Sequence, residues 1–118
     1  MSEKKKEKDN ELKLERKIVQ IVHEHIMQFD GVSKLVGGFT ANITDTILGR
    51  ESSVPGIWID KNGDQYIIGI RINVKYGVNI PQLSYDIQTD LKNALTEPNV
   101  SIKSINISVV GIDRVGDK

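Results

Sequence analysis

The sequence predicts a single α+β domain, a two-layer sandwich in which two helices pack on a three-stranded mixed sheet. Three observations lead to this fold class. Aliphatic residues recur at helical spacing near the N-terminus, two alternating stretches flank an Asn-Gly pair, and a second helical stripe precedes a β-branched, alternating run. This order of elements is typical of a β-hairpin followed by a β-α-β crossover. At 118 residues, the chain has the length of one domain.

The first helix is predicted at residues 15–29, where aliphatic side chains lie three or four positions apart and form one apolar stripe. Asp30-Gly31 supplies its C-terminal stop. Residues 1–12 are mostly charged and hold too few aliphatic side chains to build a core, so we expect a disordered tail there. The domain is then expected to span residues 13–113, followed by a C-terminal tail at 114–118.

The segment from residue 31 to residue 56 contains several glycines and closes with turn residues. Within it, Ile43, Ile47 and Leu48 follow helical spacing, and Thr40 is a candidate N-cap. This pattern predicts a short helix at 40–48 inside a longer loop.

A long β-hairpin is predicted next. Asn62-Gly63 separates two alternating stretches, and both residue types tolerate the positive φ angles that tight hairpin turns require. Ile57 and Ile59 are expected to face the core from the first strand. On the second strand the inward-facing series is Tyr66, Ile68, Ile70, Ile72, Val74 and Tyr76.

The second helix is predicted to begin at Pro81, whose fixed φ suits a first turn, and to end before Glu97-Pro98-Asn99. Its apolar stripe consists of Leu83, Ile87, Leu91, Ala94 and Leu95. The last strand follows at 100–112, with Ile105, Ile107 and Val109 on one face.

Composition narrows the functional classes. From Ile18 onward there are nine Lys or Arg against eleven Asp or Glu, which disfavours nucleic acid as a partner because phosphate binding needs a basic surface. The chain has no cysteine, which suits a cytoplasmic location. Its aliphatic stretches are far shorter than the roughly 20 residues that span a bilayer, so direct membrane insertion is not expected.

The sequence contains no recognisable catalytic or cofactor-binding motif. His23 and His25 project in different directions from a helix and cannot hold one metal ion together. Neither a phosphate-binding glycine loop nor a nucleophile elbow is present. We therefore predict no catalytic residue, no cofactor and no metal site. An RNA-binding KH-like module stays open as an alternative on topology alone, although no two glycines have the G-x-x-G spacing of that module.

Trp58 is the aromatic residue to which function is most readily assigned. Because Ile57 and Ile59 face inward, its ring should lie on the opposite face of the sheet, beside Ile67 and Arg71. If that face is open, Trp58, Ile67 and Arg71 form a protein-binding patch. If a helix or residues 31–56 cover it, Trp58 belongs to a second layer of core. The sequence leaves both interpretations open.

Three further stretches carry a family resemblance. They are GVSKLVGGF at residues 31–39, YGVNIP at residues 76–81 and VVGID at residues 109–113. Together they resemble the alkaline-shock, or envelope stress response, proteins of Gram-positive bacteria over residues 12–113. In the middle stretch the residues also suit a strand-to-helix junction, with Gly77 at the bend, Asn79 as N-cap and Pro81 in the first turn. The six residues of this motif are Tyr76, Gly77, Val78, Asn79, Ile80 and Pro81.

The resemblance implies a cytoplasmic stress protein without enzymatic activity. It also implies protein partners, either further copies of the chain or a membrane-anchored relative that holds it under the membrane. We therefore predict a protein-binding or self-assembling scaffold.

Overall fold

The computed structural model describes residues 2–37, 50–96 and 100–114, and the side chains of 10–37, 52–96 and 100–114 within them. The short helix predicted at 40–48 and the tail beyond residue 114 lie outside the described residues. In chain order the elements are α1 (Ser2–Ile26), β1 (Val32–Leu35), β2 (Arg50–Glu51), β3 (Ile57–Asn62), β4 (Gln65–Lys75), α2 (Ile80–Ala94) and β5 (Ile102–Asp113).

Helix α1 buries one stripe, formed by Ile18, Val19, Val22 and Ile26, against the sheet. It begins at Ser2, which differs from the disordered tail that the composition predicts for residues 1–12. Glutamate and lysine favour the helical backbone even where no apolar face is buried, so a charged segment can extend a helix that packing has already nucleated. The domain boundary at residue 13 stays a prediction.

Strand β4 is the centre of the sheet. It pairs antiparallel with β3 through a hairpin in which Asn62 lies opposite Gln65 and Gly63 has a φ of +63°. It pairs parallel with β5, as the β-α-β crossover requires. The α+β class, the hairpin and the crossover are therefore confirmed.

Within the described residues the sheet has five strands, two more than the three predicted. Strand β1 lies beside β3 along the same edge of β4 and pairs with the distal half of β4, from Ile72 to Val74. Strand β2 pairs with β3 opposite Trp58 and Ile59. With four and two residues, these strands are too short to show an alternating pattern in the sequence, and they are defined by their pairing with other strands.

The core lies between the sheet and the two helices. Alternate residues of β4 are buried from Tyr66 to Val74, as predicted, and they meet the apolar stripes of α1 and α2. The exception is Tyr76, which continues the predicted inward series but is 65% exposed. The strand ends at Lys75, and Gly77 turns the chain at a φ of +91°, so the alternation no longer applies at Tyr76.

Candidate functional site

The predicted patch around Trp58 is not an open surface. Trp58 lies opposite Gly69, on the face of the sheet that points away from the helices, yet it is only 2% exposed. The Arg71 guanidinium lies 5.6 Å from the centre of its ring, and Ile67 and Arg71 are themselves half-buried. The alternative in which Trp58 is core is therefore the correct one. Strand alternation assigned the indole to a face, but the burial of that face depends on the rest of the chain.

The YGVNIP stretch forms the predicted strand-to-helix junction. Asn79 caps α2, because its Oδ1 accepts a hydrogen bond from the Gln82 amide at 3.1 Å. Ile80 and Pro81 begin the helix, and Val78 packs beside Gly31. The cap by Asn79 and the place of Pro81 in the first turn were predicted, whereas the helix begins one residue before the predicted start at Pro81. The contact of Val78 with Gly31, which joins two stretches that are distant in sequence, was not predicted.

All three stretches that carry the family resemblance meet at one end of the sheet. The Ser33 hydroxyl donates to Asp113 Oδ2 at 2.6 Å, and the Tyr76 amide donates to the Asp113 carbonyl at 2.8 Å. The Lys75 amide donates to the Gly31 carbonyl at 2.9 Å. We call this place the motif corner and define it as residues 31–33, 76–81 and 109–113, together with Asn73 and Arg114.

Asp113 connects the strands at the motif corner. Besides Ser33, its carboxylate accepts from Asn73 Nδ2, at 3.4 Å to Oδ1 and 3.3 Å to Oδ2. The hydrogen bond from Ser33 lowers the pKa of Asp113 below its usual value. Asn73 and the charge of Lys34 act in the same direction, and partial desolvation opposes them. The ionised carboxylate therefore ties β5 to β1 and β4.

Gly111 makes room for this arrangement. A Cβ atom on Gly111 would lie 2.9 Å from Asn73 Oδ1, closer than such contacts occur in proteins. Asn73 Oδ1 is also buried without a hydrogen-bond partner. An unpaired buried oxygen is costly, and here it accompanies the orientation in which Nδ2 reaches Asp113.

We expect Asp113→Asn to reduce the free energy of unfolding more at pH 7 than at pH 3. A carboxyl whose pKa is lowered by folding stabilises the protein above its unfolded pKa of about 3.9, and this contribution is lost as the pH falls through the folded value. Urea denaturation of the wild type and the variant at both pH values measures the difference. Ser33→Ala should shift the pH dependence in the same sense. An equal loss at both pH values would contradict the role of the ionised carboxylate.

Part of the surface of the motif corner is apolar. Among the described residues, six large apolar side chains are exposed. Three of them, Tyr76, Val110 and Ile112, belong to the corner and are between 45% and 65% exposed. The Arg114 guanidinium lies 5.2 Å from the centre of the Tyr76 ring. The Tyr76 ring and the Arg114 guanidinium thus lie together at the surface of the motif corner, and the last strand of this corner also exposes Val110 and Ile112.

No catalytic arrangement emerges from the described residues. They contain no group of three or more His, Cys, Asp or Glu that would suit a metal ion. His23 is exposed, whereas His25 Nδ1 lies 2.7 Å from Asp90 Oδ2 and joins α1 to α2 instead of being simply solvated. A shallow cleft of about 260 Å³ runs between α1 and residues 52–59, and no histidine is among the residues that line it. In the described part of the chain, no helix is long and apolar enough to cross a bilayer.

The sequence alone points to the motif corner only in part. Ser33 and Asp113 stood within recognised stretches but received no role, and Asn73 lay outside those stretches. The one available signal for the motif corner was Asn73, a polar residue on a strand next to the predicted strand-to-helix junction. The contact itself spans 80 positions between Ser33 and Asp113, beyond the reach of any local pattern.

The three stretches of the motif corner also lie within a match to a known protein family. The model of the alkaline shock protein 23 family, which has a cell envelope-related function, matches residues 4–114. Two uncharacterized proteins of Bacillus subtilis (strain 168) are similar to the chain. YqhY is 29% identical over 86 residues, 72% of this chain and 63% of that protein; YloU is 30% identical over 67 residues, 56% of each.

The matches thus span less than two thirds of either relative. No solved structure gives a significant match. Since the family match covers nearly the whole chain and includes all three stretches of the motif corner, the protein belongs to the alkaline shock protein 23 family, whose function is related to the cell envelope.

Proposed function

We propose that the protein is a non-enzymatic scaffold of the cell-envelope stress response that binds other proteins through the motif corner. The observation that carries this proposal is the convergence of three sequence stretches, separated by up to 80 positions, on one surface with exposed apolar side chains. Junction geometry explains Gly77, Asn79 and Pro81. It does not explain an exposed Tyr76 beside Arg114.

The residue types at this surface suit a protein partner. Tyrosine and arginine are enriched among the residues that dominate binding energy, because they bury large areas and still offer hydrogen bonds. Tyr76 is 65% exposed, and its ring is held by Arg114 at 5.2 Å. The backbone beneath it is fixed by the hydrogen bond to Asp113, so little conformational freedom is lost on binding.

The partner that we propose is a protein in the cytoplasm: another copy of this chain or an anchored relative that holds it under the membrane. The family description supports an envelope-related role. The RNA-binding alternative is not proposed, because no described feature favours it and the folded part of the chain is slightly acidic.

The proposal predicts that Tyr76→Ala/Arg114→Ala abolishes function without unfolding the protein. Both side chains are exposed, so the melting temperature should change little, whereas partner affinity should fall about thirtyfold or more. A photo-crosslinking residue placed at position 76 should capture a reproducible protein in cells. One placed at Asp64, at the opposite end of β4, should not.

Growth under cell-envelope stress provides the functional readout. The double variant should fail to complement a deletion strain at normal protein abundance. Leu12→Ala, which removes an exposed apolar side chain from α1, should complement it. Full complementation by the double variant would contradict the proposed role of the motif corner.

A further inference from the structure

Strand β5 is long, and in the described part of the chain it pairs along only one of its two edges. It contains 12 residues and pairs with β4 along one edge. Within residues 2–37, 50–96 and 100–114, no strand pairs with its other edge. An open strand edge presents unpaired N–H and C=O groups, which can bind a further strand.

The direction of the backbone groups follows from β4. The Arg71 amide donates to the Gly56 carbonyl and its own carbonyl accepts from the Val36 amide, both at 2.9 Å, so Arg71 faces away from β5. Because backbone groups alternate along a strand, the even-numbered residues of β4 turn theirs towards β5. These are Tyr66, Ile68, Ile70, Ile72 and Val74.

The partners of these residues define the open edge of β5. In a parallel ladder, a residue bonds to the two residues that flank its partner, so the partner itself points its N–H and C=O the other way. Ile105, Ile107 and Val109 lie opposite Ile68, Ile70 and Ile72. They therefore present their backbone groups at the open edge, as do Ile102 and Ile112. In agreement, Gln88 Nε2 of α2 donates to the Ile105 carbonyl at 2.7 Å.

This edge lacks the usual protection against pairing. Natural edge strands carry charged residues or proline, which block the approach of another strand. Residues 104–112 contain neither. The charges stand only at the two ends, Lys103 and Asp113. The Ile105 carbonyl accepts from Gln88 and keeps a second lone pair for a further strand, and Gln88 donates to neither Ile107 nor Val109.

We propose that β5 pairs antiparallel with β5 of a second copy, with Ile107 on the twofold axis. In this register Ile105 lies opposite Val109 of the second copy, and Asn106 lies opposite Ser108. The proposed dimer rests on the proposed scaffold function, because it specifies a second copy of the chain as one of the protein partners. It uses a surface other than the Tyr76–Arg114 pair.

The irregularities of β5 fit this register. The pairing with β4 shifts by one residue near Lys103 and again near Val110. With Ile107 on the axis, the residues skipped at the two shifts, Lys103 and Val110, come within one position of each other on opposite strands. Ile102, which presents its backbone groups at the open edge, then meets Ile112, which does the same. A self-complementary strand of this kind is what a twofold interface needs.

The charges at the ends of β5 favour antiparallel over parallel pairing of β5 strands from two copies of the chain. Antiparallel pairing brings Lys103 of one copy near Asp113 of the other, whereas parallel pairing places like charges together. Tyr85 of α2 offers apolar surface next to the proposed β5–β5 interface. It is 64% exposed and stands one helical turn before Gln88, the side chain that reaches β5.

Charge variants at Asn106 and Ser108 test the register. Both residues are exposed, so substitution should not disturb the fold. Light scattering with size-exclusion chromatography, from micromolar to millimolar concentration, should give the wild type twice the 13.2 kDa chain mass. Asn106→Lys/Ser108→Lys places lysines directly opposite lysines, and Asn106→Glu/Ser108→Glu does the same with glutamates. Each should dimerise about tenfold more weakly or worse.

Mixing the two charge variants is the decisive measurement. In the proposed register every lysine then faces a glutamate, so a mixed dimer should form at concentrations where each variant alone is monomeric. A monomeric wild type, or dimers unaffected by either variant, would overturn the proposal. Tyr76→Ala/Arg114→Ala should still dimerise, and the lysine variant should still crosslink through position 76. The failure of one proposal is thereby separable from the failure of the other.

Discussion

Ile70→Asp should leave the protein unfolded at room temperature. Ile70 is 1% exposed and lies in the middle of β4, opposite Ile57 on one side and Ile107 on the other. A carboxylate there has neither water nor a cationic partner, and burying it costs several kcal/mol against a typical stability of about 5–15 kcal/mol. Circular dichroism and a loss of chemical-shift dispersion would report the unfolding.

The matched control is Asn106→Asp, which adds the same carboxylate at an exposed position of β5. It should fold and melt close to the wild type. Asn73→Asp would not serve as a second neutral control, although Asn73 alternates with the buried residues of β4. Asn73 donates to Asp113, so a second carboxylate there would repel the first. A folded Ile70→Asp protein with a normal melting temperature would show that this side of β4 is not core.

Trp58→Ala should lower the free energy of unfolding by about 3–5 kcal/mol, the usual cost of removing a large buried aromatic side chain. Trp58 is 2% exposed and contacts the Arg71 guanidinium, so its loss leaves a cavity and removes the cation–π contact. Denaturant titration gives the magnitude. Because Trp58 is the one tryptophan in the chain, its emission in the wild type should be blue-shifted and should resist iodide quenching.

Tyr76→Ala supplies the comparison for this loss. Tyr76 is 65% exposed, so its removal should change the free energy of unfolding by no more than about 0.5 kcal/mol. Red-shifted, readily quenched tryptophan fluorescence together with an equally small effect of Trp58→Ala would show that Trp58 is exposed to solvent. The patch of Trp58, Ile67 and Arg71 would then become a binding site again.

The elements whose pattern is local could be predicted from the sequence alone. Helical spacing located the buried stripes of both helices, and Asn62-Gly63 located the hairpin. Asn79 and Pro81 marked the start of α2, where the cap to Gln82 now stands. Such features depend on residues within a few positions of one another, and each short-range preference can be read independently of the rest of the chain.

Which faces of the sheet are covered, and which residues distant in sequence meet, depends on the tertiary structure. Alternation placed Trp58 on the outer face of the sheet, but its burial depends on the whole fold. Strand β1 exists because it pairs with the far half of β4, and the motif corner exists because Asp113 meets Ser33 across 80 positions. These contacts form only after the chain has closed long loops, so no window of sequence contains both partners.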